Sequence, residues 1–309
     1  MKERIISLDV MKFIAIFLVL NSHLDVCYPK YSFLATGGAI GDALFFFVSG
    51  FTIFISRKDR FSNWYKRRIT RIYLPVITTA VIAYMCFDDD WMFSDVIFLR
   101  GYWFLPCILA YYPILYLMSY CNKLQYIFIY SLIVIYAIFF CFYDFTNSGL
   151  IYGGGTFRLI FFFIFMLEGA IIGKYYNKLK YKSYHFILLI IFTILWFSSV
   201  YLLKNTNIQI ISILFLVGML YYLFNITTIT FFKKKYISKI VLIISSLCLE
   251  CYLVQKYIIT DYFNYLFPIN LLIISLITLV LAYLVKILTN IIDQTLSLNP
   301  YNWEKIFKL

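Results

Sequence analysis

Charged residues are scarce in this 309-residue chain: Asp, Glu, Lys and Arg make up 14% of it, whereas hydrophobic residues make up 63%. A soluble domain of this length could not cover its surface with so few charges, so the composition excludes a soluble globular protein. It predicts a polytopic membrane protein. The net charge of +12 does not indicate a nucleic-acid partner, because the basic residues cluster in alternate loops, as membrane topology requires.

Motifs with defined chemistry are missing as well. The chain has no Walker A loop, dinucleotide fingerprint, zinc signature or G-x-S-x-G elbow, which argues against the enzyme classes that depend on them. Its seven cysteines are scattered, and we expect no disulfide framework. Cys248 and Cys251 have C-x-x-C spacing, but they lack a second pair or a nearby His. We therefore interpret them as packing residues and predict no metal site.

Long apolar runs dominate what is present. Ten of them are long enough to cross a membrane as helices: residues 5–24, 39–56, 72–87, 102–121, 124–143, 157–173, 184–203, 207–230, 238–260 and 269–292. The sequence therefore predicts an all-α bundle of about ten transmembrane helices. The first run has no small-residue cleavage site, so we expect it to be retained. No repeat or low-complexity linker divides the chain, which favours one integral membrane domain over residues 1–309.

The distribution of basic residues predicts the orientation of these spans. With a cytoplasmic N-terminus, the cytoplasmic segments hold 21 of the 27 Lys and Arg residues, the external segments hold five, and Lys12 lies within a span. Cytoplasmic loops of membrane proteins carry such an excess of positive charge. We therefore expect both termini to be cytoplasmic, in a multi-pass protein of the cell membrane.

Three ionisable residues mark the first span. Eleven residues separate Lys12 from His23 and fourteen separate Asp9 from it. At about 100° per residue, Lys12 lies within roughly 20° and Asp9 within roughly 40° of His23 around a helix. Ionisable groups inside a membrane span are costly and tend to mark functional interiors. The alternative is an ion pair between Asp9 and Lys12 at the membrane boundary, with His23 merely interfacial.

A second charged feature is the basic loop that enters the third span. Arg67, Arg68 and Arg71 lie there, and the spacing of Arg68 and Arg71 lets both guanidinium groups converge on one anion. Arginine forks suit phosphate oxygens better than lysine does. Simple anchoring of the cytoplasmic side, or contact with anionic lipid headgroups, remains an equally open interpretation.

Taken in order, these features resemble acyltransferase family 3, which comprises ten-span acyl-CoA-dependent O-acyltransferases of surface polysaccharides and related acceptors. This chain resembles the form without an external hydrolase-like domain. The residues that carry the resemblance are Leu8-Asp9-Val10-Met11-Lys12 leading to His23, Ala43-Leu44-Phe45-Phe46-Phe47-Val48-Ser49-Gly50-Phe51, Lys66-Arg67-Arg68-Ile69-Thr70-Arg71-Ile72-Tyr73-Leu74-Pro75, Tyr102-Trp103-Phe104-Leu105 and Cys251-Tyr252-Leu253-Val254-Gln255. Two positions depart from the family pattern. Lys12 stands where the family usually has Arg, and Gln255 stands where it often has His.

The resemblance implies a reaction: transfer of an acyl group, acetyl by default, from cytoplasmic acetyl-CoA to a hydroxyl of a cell-surface or lipid-linked glycan. It implies a catalytic role for His23, as general base, and phosphate contacts for Arg68 and Arg71, with Arg67 beside them. Ser49 and Trp103 belong to the matching blocks, and we expect them to contact the donor. An acyl intermediate on His23 or Ser49 is an alternative.

The remaining ionisable residues have supporting roles in this hypothesis. Asp9 and Lys12 lie roughly 16–21 Å from His23 along the helix, so we expect them to line the channel that admits the donor. Glu250 or Asp42 is expected to orient the imidazole from a neighbouring helix. The alternative function is a non-enzymatic flippase or transporter of a glycan intermediate, which would need no thioester site and no acyl-CoA.

Overall fold

The structure, a computed structural model, describes residues 4–56, 60–89, 91–142, 152, 157–179, 181–204, 206–297 and 300–307. Over these residues it is helical and contains no β-strand, which confirms the all-α prediction. The α-helices of the described ranges are α1 (Ile6–Ser22), α2 (Gly38–Phe51), α3 (Ile53–Ser56), α4 (Phe61–Phe87), α5 (Phe93–Phe98), α6 (Phe104–Met118), α7 (Leu124–Phe142), α8 (Arg158–Phe161), α9 (Phe163–Tyr175), α10 (Tyr184–Leu202), α11 (Ser212–Thr227), α12 (Lys235–Ser246), α13 (Cys248–Ile258), α14 (Ile269–Leu296) and α15 (Trp303–Phe307).

Six helical segments of the described chain are long and apolar enough to cross a membrane, and a seventh is added if a bent pair counts as one span. The six are Ser32–Phe51, Phe61–Phe87, Arg158–Lys178, Tyr184–Leu202, Asn207–Thr227 and Ile269–Leu296, and the bent pair is Lys235–Ser246 with Cys248–Ile258. The first, fourth and fifth predicted spans form apolar helices that are shorter than these. The first is α1, with 17 residues, and the other two are Phe104–Met118 and Leu124–Phe139. A multi-pass membrane protein follows from these lengths.

Helix α4 begins at Phe61, well before the predicted third span, so Arg67, Arg68 and Arg71 lie on a helix and not in a loop. The loop interpretation was wrong for this segment because charged residues were taken to end the helical pattern. Neighbours four residues apart stabilise the helix there. The rings of Phe61 and Tyr65 stack at 5.3 Å, and the Arg68 guanidinium lies 5.4 Å from the Trp64 ring. The basic residues Arg57 and Lys58 lie outside the described residues.

The ninth predicted span is broken into α12 and α13, which meet at a 65° bend. The hydroxyls of Ser245 and Ser246 donate to the carbonyls of Leu242 and Ile243, at 3.2 and 2.7 Å. Serine hydroxyls that bond back to the preceding turn compete with the helical hydrogen bonds and bend helices. The serine pair lies at the end of α12, and Cys248 is the first residue of α13.

The chain forms two compact units. The first comprises Met1–Met11, Asp42–Asp59 and Tyr111–Ser238, and the second comprises Lys12–Gly41, Arg60–Ala110 and Lys239–Leu309. In the second unit, α13 packs against both α4 and α14. Within that packing, the Thr289 hydroxyl of α14 donates to the Thr78 hydroxyl of α4 at 3.1 Å. By these bounds, the second unit holds most of the predicted site residues.

A close helix crossing organises the first unit, where α10 also packs against α11. Gly50 of α2 abuts the backbone of Met166, and Gly169 of α9 abuts the backbone of Phe47. At both glycines, an added Cβ would overlap a carbonyl oxygen of the opposite helix. Small residues allow such close approach of membrane helices.

This crossing predicts that Gly169→Ala destabilises the protein by about 1–3 kcal/mol, because the backbone of α2 has to move away from the new methyl group. The measurement is thermal unfolding of the purified protein in detergent. Val81→Ile adds one carbon at an exposed position of α4 and should leave the midpoint unchanged. Equal unfolding midpoints for Gly169→Ala and the wild type would show that α2 and α9 can accommodate a methyl group at this crossing.

Candidate functional site

His23 lies in the turn that follows α1, immediately after the last helical residue Ser22. The helix ends here because the amide of His23 bonds back only three residues, to Leu20 at 3.0 Å, and Leu24 then begins a short 3-10 turn. The predicted span ran through His23 to residue 24, so the structure places the imidazole just past the helix and not within it. The His23 side chain is exposed.

Hydrogen bonds from α14 and the residues before it hold the chain just after His23. The Asn270 side chain donates to the carbonyl of Cys27 at 2.7 Å, and Asn264 donates to that of Val26 at 2.9 Å. The Cys27 thiol donates in turn to the carbonyl of Thr260 at 3.4 Å. Asn270 and Cys27 are buried, so the hydrogen bond between them is shielded from competition with water. They position the His23 turn against the segment that joins α13 to α14.

The surroundings of His23 favour its neutral form. Partial desolvation by the surrounding protein lowers the pKa of His23 below the ordinary value of 6.5; the Asp25 carboxylate acts in the opposite direction, more weakly. A neutral imidazole can accept a proton, as a general base must. The carboxylate that acts on His23 is thus Asp25, a residue that the sequence interpretation did not consider.

The Asp9 carboxylate is bound by Arg4, which lies just before the start of α1. The Arg4 guanidinium donates to both Asp9 oxygens, from Nε at 2.8 Å and from Nη2 at 3.1 Å, and the carboxylate is buried. This bidentate geometry fixes the carboxylate strongly. Asp9 belongs to the first unit, whereas Lys12 and His23 belong to the second.

The second unit gathers charge around the first residue of α13. Burial is the largest influence on the Cys248 thiol, and the charges of Lys12, Arg71, Lys286 and Glu250 act on it electrostatically to a smaller extent. The Lys286 ammonium of α14 donates to Glu250 Oε1 at 2.8 Å, and the Glu250 side chain is only 2% exposed. We call these five residues the Cys248 cluster. It unites three predicted site residues, namely Lys12, Arg71 and Glu250, that the sequence places in different helices.

Glu250 pairs with Lys286 and not with His23, the partner that the sequence interpretation expected. The sequence interpretation had Glu250 or Asp42 orienting His23. In the structure Glu250 pairs with Lys286. Asp42 lies in the first unit, where the charge that acts on it is Arg158. Lys286 was missed by the sequence interpretation, which counted it with the cytoplasmic cations. It lies ten residues before the end of α14, inside the 269–292 run, and so not in a cytoplasmic segment.

The remaining predicted donor contacts are spread over the helices. Arg67 and Arg68 lie one turn before Arg71 on α4, with Arg68 over the Trp64 ring. Trp103 precedes α6, and its ring meets that of Phe104 edge-on at 6.2 Å. Ser49 of α2 belongs to the first unit, and its carbonyl accepts from the Thr52 hydroxyl at 2.9 Å.

A further cluster in the second unit surrounds Lys256 at the end of α13. Asp89 Oδ2 accepts hydrogen bonds from the Tyr257 hydroxyl at 2.7 Å, from Lys256 at 3.0 Å and from the Trp91 indole at 3.1 Å. The Lys256 ammonium also lies over the rings of Trp91, Tyr102 and Tyr257, at 5.1, 5.7 and 4.6 Å. The hydrogen bonds from Tyr257 and Lys256 lower the pKa of Asp89. The cluster ties the segment after α4 to the end of α13.

No group of three or more His, Cys, Asp and Glu side chains in the described ranges could hold a metal ion. The cysteines that the structure describes are free, and Cys248 and Cys251 belong to α13. The second unit therefore holds an imidazole just past the end of α1 and the cations of Lys12, Arg71 and Lys286. This combination suits the transfer of a group from an anionic donor.

A family model described as an acyltransferase domain matches residues 5–290, which is nearly the whole chain. The chain belongs to acyltransferase family 3. The matched range includes the site residues from Asp9 to Lys286, whereas Arg4 lies just before it. A comparison with curated proteins gives no match, and neither does a comparison with solved structures. The protein is thus a membrane acyltransferase by family and by its apolar helices.

Membership of acyltransferase family 3 gives the Cys248 cluster a chemical context. Charges inside a membrane bundle are costly and tend to mark functional interiors. The cluster and the His23 turn lie in the same compact unit, and Lys12 and His23 lie on and just after α1, roughly 16 Å apart along the chain.

Proposed function

We propose that this acyltransferase moves an acetyl group from cytoplasmic acetyl-CoA to a hydroxyl of a cell-surface or lipid-linked glycan, with His23 as general base. The observation that carries the proposal is the charge of the second unit, with Arg67, Arg68 and Arg71 on α4 and the Lys286–Glu250 pair between α14 and α13, in a chain of this family. CoA carries several phosphate oxygens, and Arg and Lys side chains are the groups that proteins use to bind them.

The proposal includes a topology. Residues 1–309 form one integral membrane domain of ten spans in the cell membrane, with both termini cytoplasmic. The excess of Lys and Arg in alternate segments supports this orientation. In this topology Arg67, Arg68 and Arg71 face the cytoplasm near the start of α4 and receive the donor phosphates, with Trp103 and Ser49 as further donor contacts. His23, at the far end of α1, faces the external side, where the acceptor arrives.

The chemical step follows from these positions. His23 Nε2 or Nδ1 takes the proton of the acceptor hydroxyl, the oxygen attacks the thioester carbonyl, and the CoA thiol is released with the proton. Asp25 acts on the imidazole by its charge, whereas Asp9, held by Arg4, and Lys12 line the polar path from the cytoplasmic side. Glu250 keeps Lys286 in place on that path.

Donor binding is tested by a paired substitution. Arg68→Ala with Arg71→Ala should raise the dissociation constant of acetyl-CoA by about 10- to 100-fold, because each charge-assisted hydrogen bond contributes about 1.5–3 kcal/mol, less where exposed. The measurement is isothermal titration or thermal shift of the purified protein with acetyl-CoA. Lys178→Ala with Lys182→Ala removes two cytoplasmic cations from the first unit and should leave binding unchanged. Unchanged binding in the arginine variant would assign those arginines to topology alone.

Binding and use of the acyl donor distinguish the proposed enzyme from the alternative, a flippase. An acyltransferase of the proposed kind binds CoA and moves labelled acetyl from acetyl-CoA to glycan in native membranes, whereas a flippase does neither. Membership of an acyltransferase family favours the enzyme.

A further inference from the structure

The chain folds back along the last turns of α14. Residues 300–307, which include α15, pack against that helix, and we call them the terminal segment. Gln294 of α14 binds the backbone of Asn302 twice: its Oε1 accepts a hydrogen bond from the amide at 2.8 Å, and its Nε2 donates one to the carbonyl at 3.2 Å. The side chain of Ile306 is buried. The terminal segment is therefore fixed to α14 by both polar and apolar contacts.

Two further side chains of α14 bind carbonyls at the end of α15. Asn290 donates to the carbonyl of Ile306 at 3.0 Å, and the Tyr283 hydroxyl donates to that of Phe307 at 3.3 Å. The last carbonyls of a helix have no partner within it, so these bonds satisfy groups that would otherwise need water. Tyr283, Asn290 and Gln294 lie within roughly 40° of one another around α14. One polar stripe on an apolar helix thus binds the terminal segment.

The exposed side chains of the terminal segment are largely aromatic. Tyr301, Trp303 and Phe307 are 47, 63 and 52% exposed. The ring centroids of Tyr301 and Trp303 lie 6.1 Å apart, and those of Trp303 and Phe307 lie 6.4 Å apart. The Tyr301 hydroxyl is hydrogen-bonded to that of Thr295 in α14. We call these three residues the terminal aromatic row.

Helix α14 indicates what covers this row. It is a candidate membrane span of 28 residues, roughly 42 Å long, whereas the hydrocarbon core of a bilayer is roughly 30 Å thick. The ends of α14 therefore reach the headgroup region, and the terminal segment packs at one of them. Leu284, Leu288 and Leu296 of α14 are exposed, so the turns that carry the terminal segment also face lipid.

We propose that the terminal segment is an interfacial anchor, whose aromatic row inserts among the lipid headgroups at the end of α14. Trp and Tyr are enriched at this level of membrane proteins because each has an apolar ring and a polar tip. Backbone groups near the hydrocarbon need partners within the protein, and the polar stripe of α14 supplies them. The anchor fixes the axial position of α14, and with it that of Lys286.

This inference goes beyond the proposed function, because it requires neither donor nor acceptor. The terminal segment also lies outside residues 5–290, so membership of the family assigns it no role.

Fluorescence quenching tests the position of the row in full-length protein in phosphatidylcholine nanodiscs. The emission of Trp303 is the difference between the wild type and Trp303→Phe, which keeps an aromatic ring. Lipids brominated near the headgroups should quench this difference at least about twofold more than lipids brominated near the bilayer centre, and more than aqueous iodide does. Quenching mainly by iodide, mainly by the deeper bromines, or by no bromolipid would overturn the proposal.

Amide hydrogen exchange tests whether the rings hold the terminal segment in place. Trp303→Ser with Phe307→Ser should speed exchange across residues 300–307 by about tenfold in the same nanodiscs, because the segment loses its attachment to the interface. Glu304→Ser with Lys305→Ser changes two exposed polar side chains of the same helix and should leave exchange unchanged. Unchanged exchange across α14 is the check on folding. Equal exchange across residues 300–307 in the two double variants would overturn the proposal.

Discussion

Replacing His23 with Ala should reduce acetyl transfer by about 10²- to 10⁴-fold while the protein remains folded, because general-base catalysis contributes that range. Folding should not suffer, since the imidazole is exposed and the adjoining turn is held by Asn264 and Asn270 acting on the backbone. The assay follows labelled acetyl-CoA into glycan in membranes with matched protein amounts, and thermal unfolding in detergent serves as the check on folding. Undiminished transfer by His23→Ala would remove His23 from the mechanism.

The pH profile gives this prediction a second, independent measurement. A general base works in its neutral form, so transfer should fall as the pH drops through the pKa of His23. Partial desolvation of the otherwise accessible imidazole lowers that pKa, so the acidic limb should lie below pH 6.5. The Asp25 carboxylate opposes the shift, so Asp25→Asn should move the limb to still lower pH. A limb that Asp25→Asn leaves in place would point to another titrating group.

Replacing Glu250 with Ala should destabilise the protein by about 3 kcal/mol. Removing one partner of a buried ion pair typically costs about 3–5 kcal/mol, because the other charge remains without compensation. We expect the lower end, because 26% of the Lys286 side chain is exposed whereas only 2% of the Glu250 side chain is. The measurement is thermal or denaturant unfolding of the purified protein, with Glu304→Ala in the exposed part of α15 as the control.

A double variant shows whether the pair causes that loss. Glu250→Gln with Lys286→Met removes both charges and keeps similar volume, and replacing a buried pair in this way is often neutral. Its stability should therefore approach that of the wild type, whereas Glu250→Gln alone should not. Donor binding should remain impaired in the double variant, because Lys286 is gone. A double variant as unstable as Glu250→Ala would show that Glu250 stabilises the fold through other contacts.

The sequence was sufficient for the helical class and for most helices of the second half, because apolar runs such as that of α14 have few interruptions. The sequence was less informative for segments in which charged residues lie within or next to a helix. The pairing of Trp64 with Arg68 continues α4 into a segment that was expected to be a loop. Likewise, the pairing of Asp9 with Arg4 involves a residue before the first predicted span. Both contacts are local, so their spacing could have indicated them.

The composition of the Cys248 cluster could not be predicted in the same way. Glu250 and Lys286 are 36 residues apart and lie on different helices, so only the packing of α13 on α14 brings them together. The one available signal was a lone cation inside the most apolar helix, and it was missed because Lys286 was counted as a cytoplasmic residue. The carboxylate next to His23, at Asp25, was also overlooked, since the first span was expected to continue past the imidazole.

The 65° bend between α12 and α13 bears on how the protein meets bilayers of different thickness. Helix α13 is fastened near its start to α14 through Glu250, and at its end to the segment after α4 through Asp89. Hydrophobic mismatch is commonly absorbed by helix tilt, at a fraction of a kcal/mol per Å. Because α13 is fastened at both ends and α12 meets it at a bend, we expect a change of bilayer thickness to alter the tilt of α12 more than the position of the Glu250–Lys286 pair.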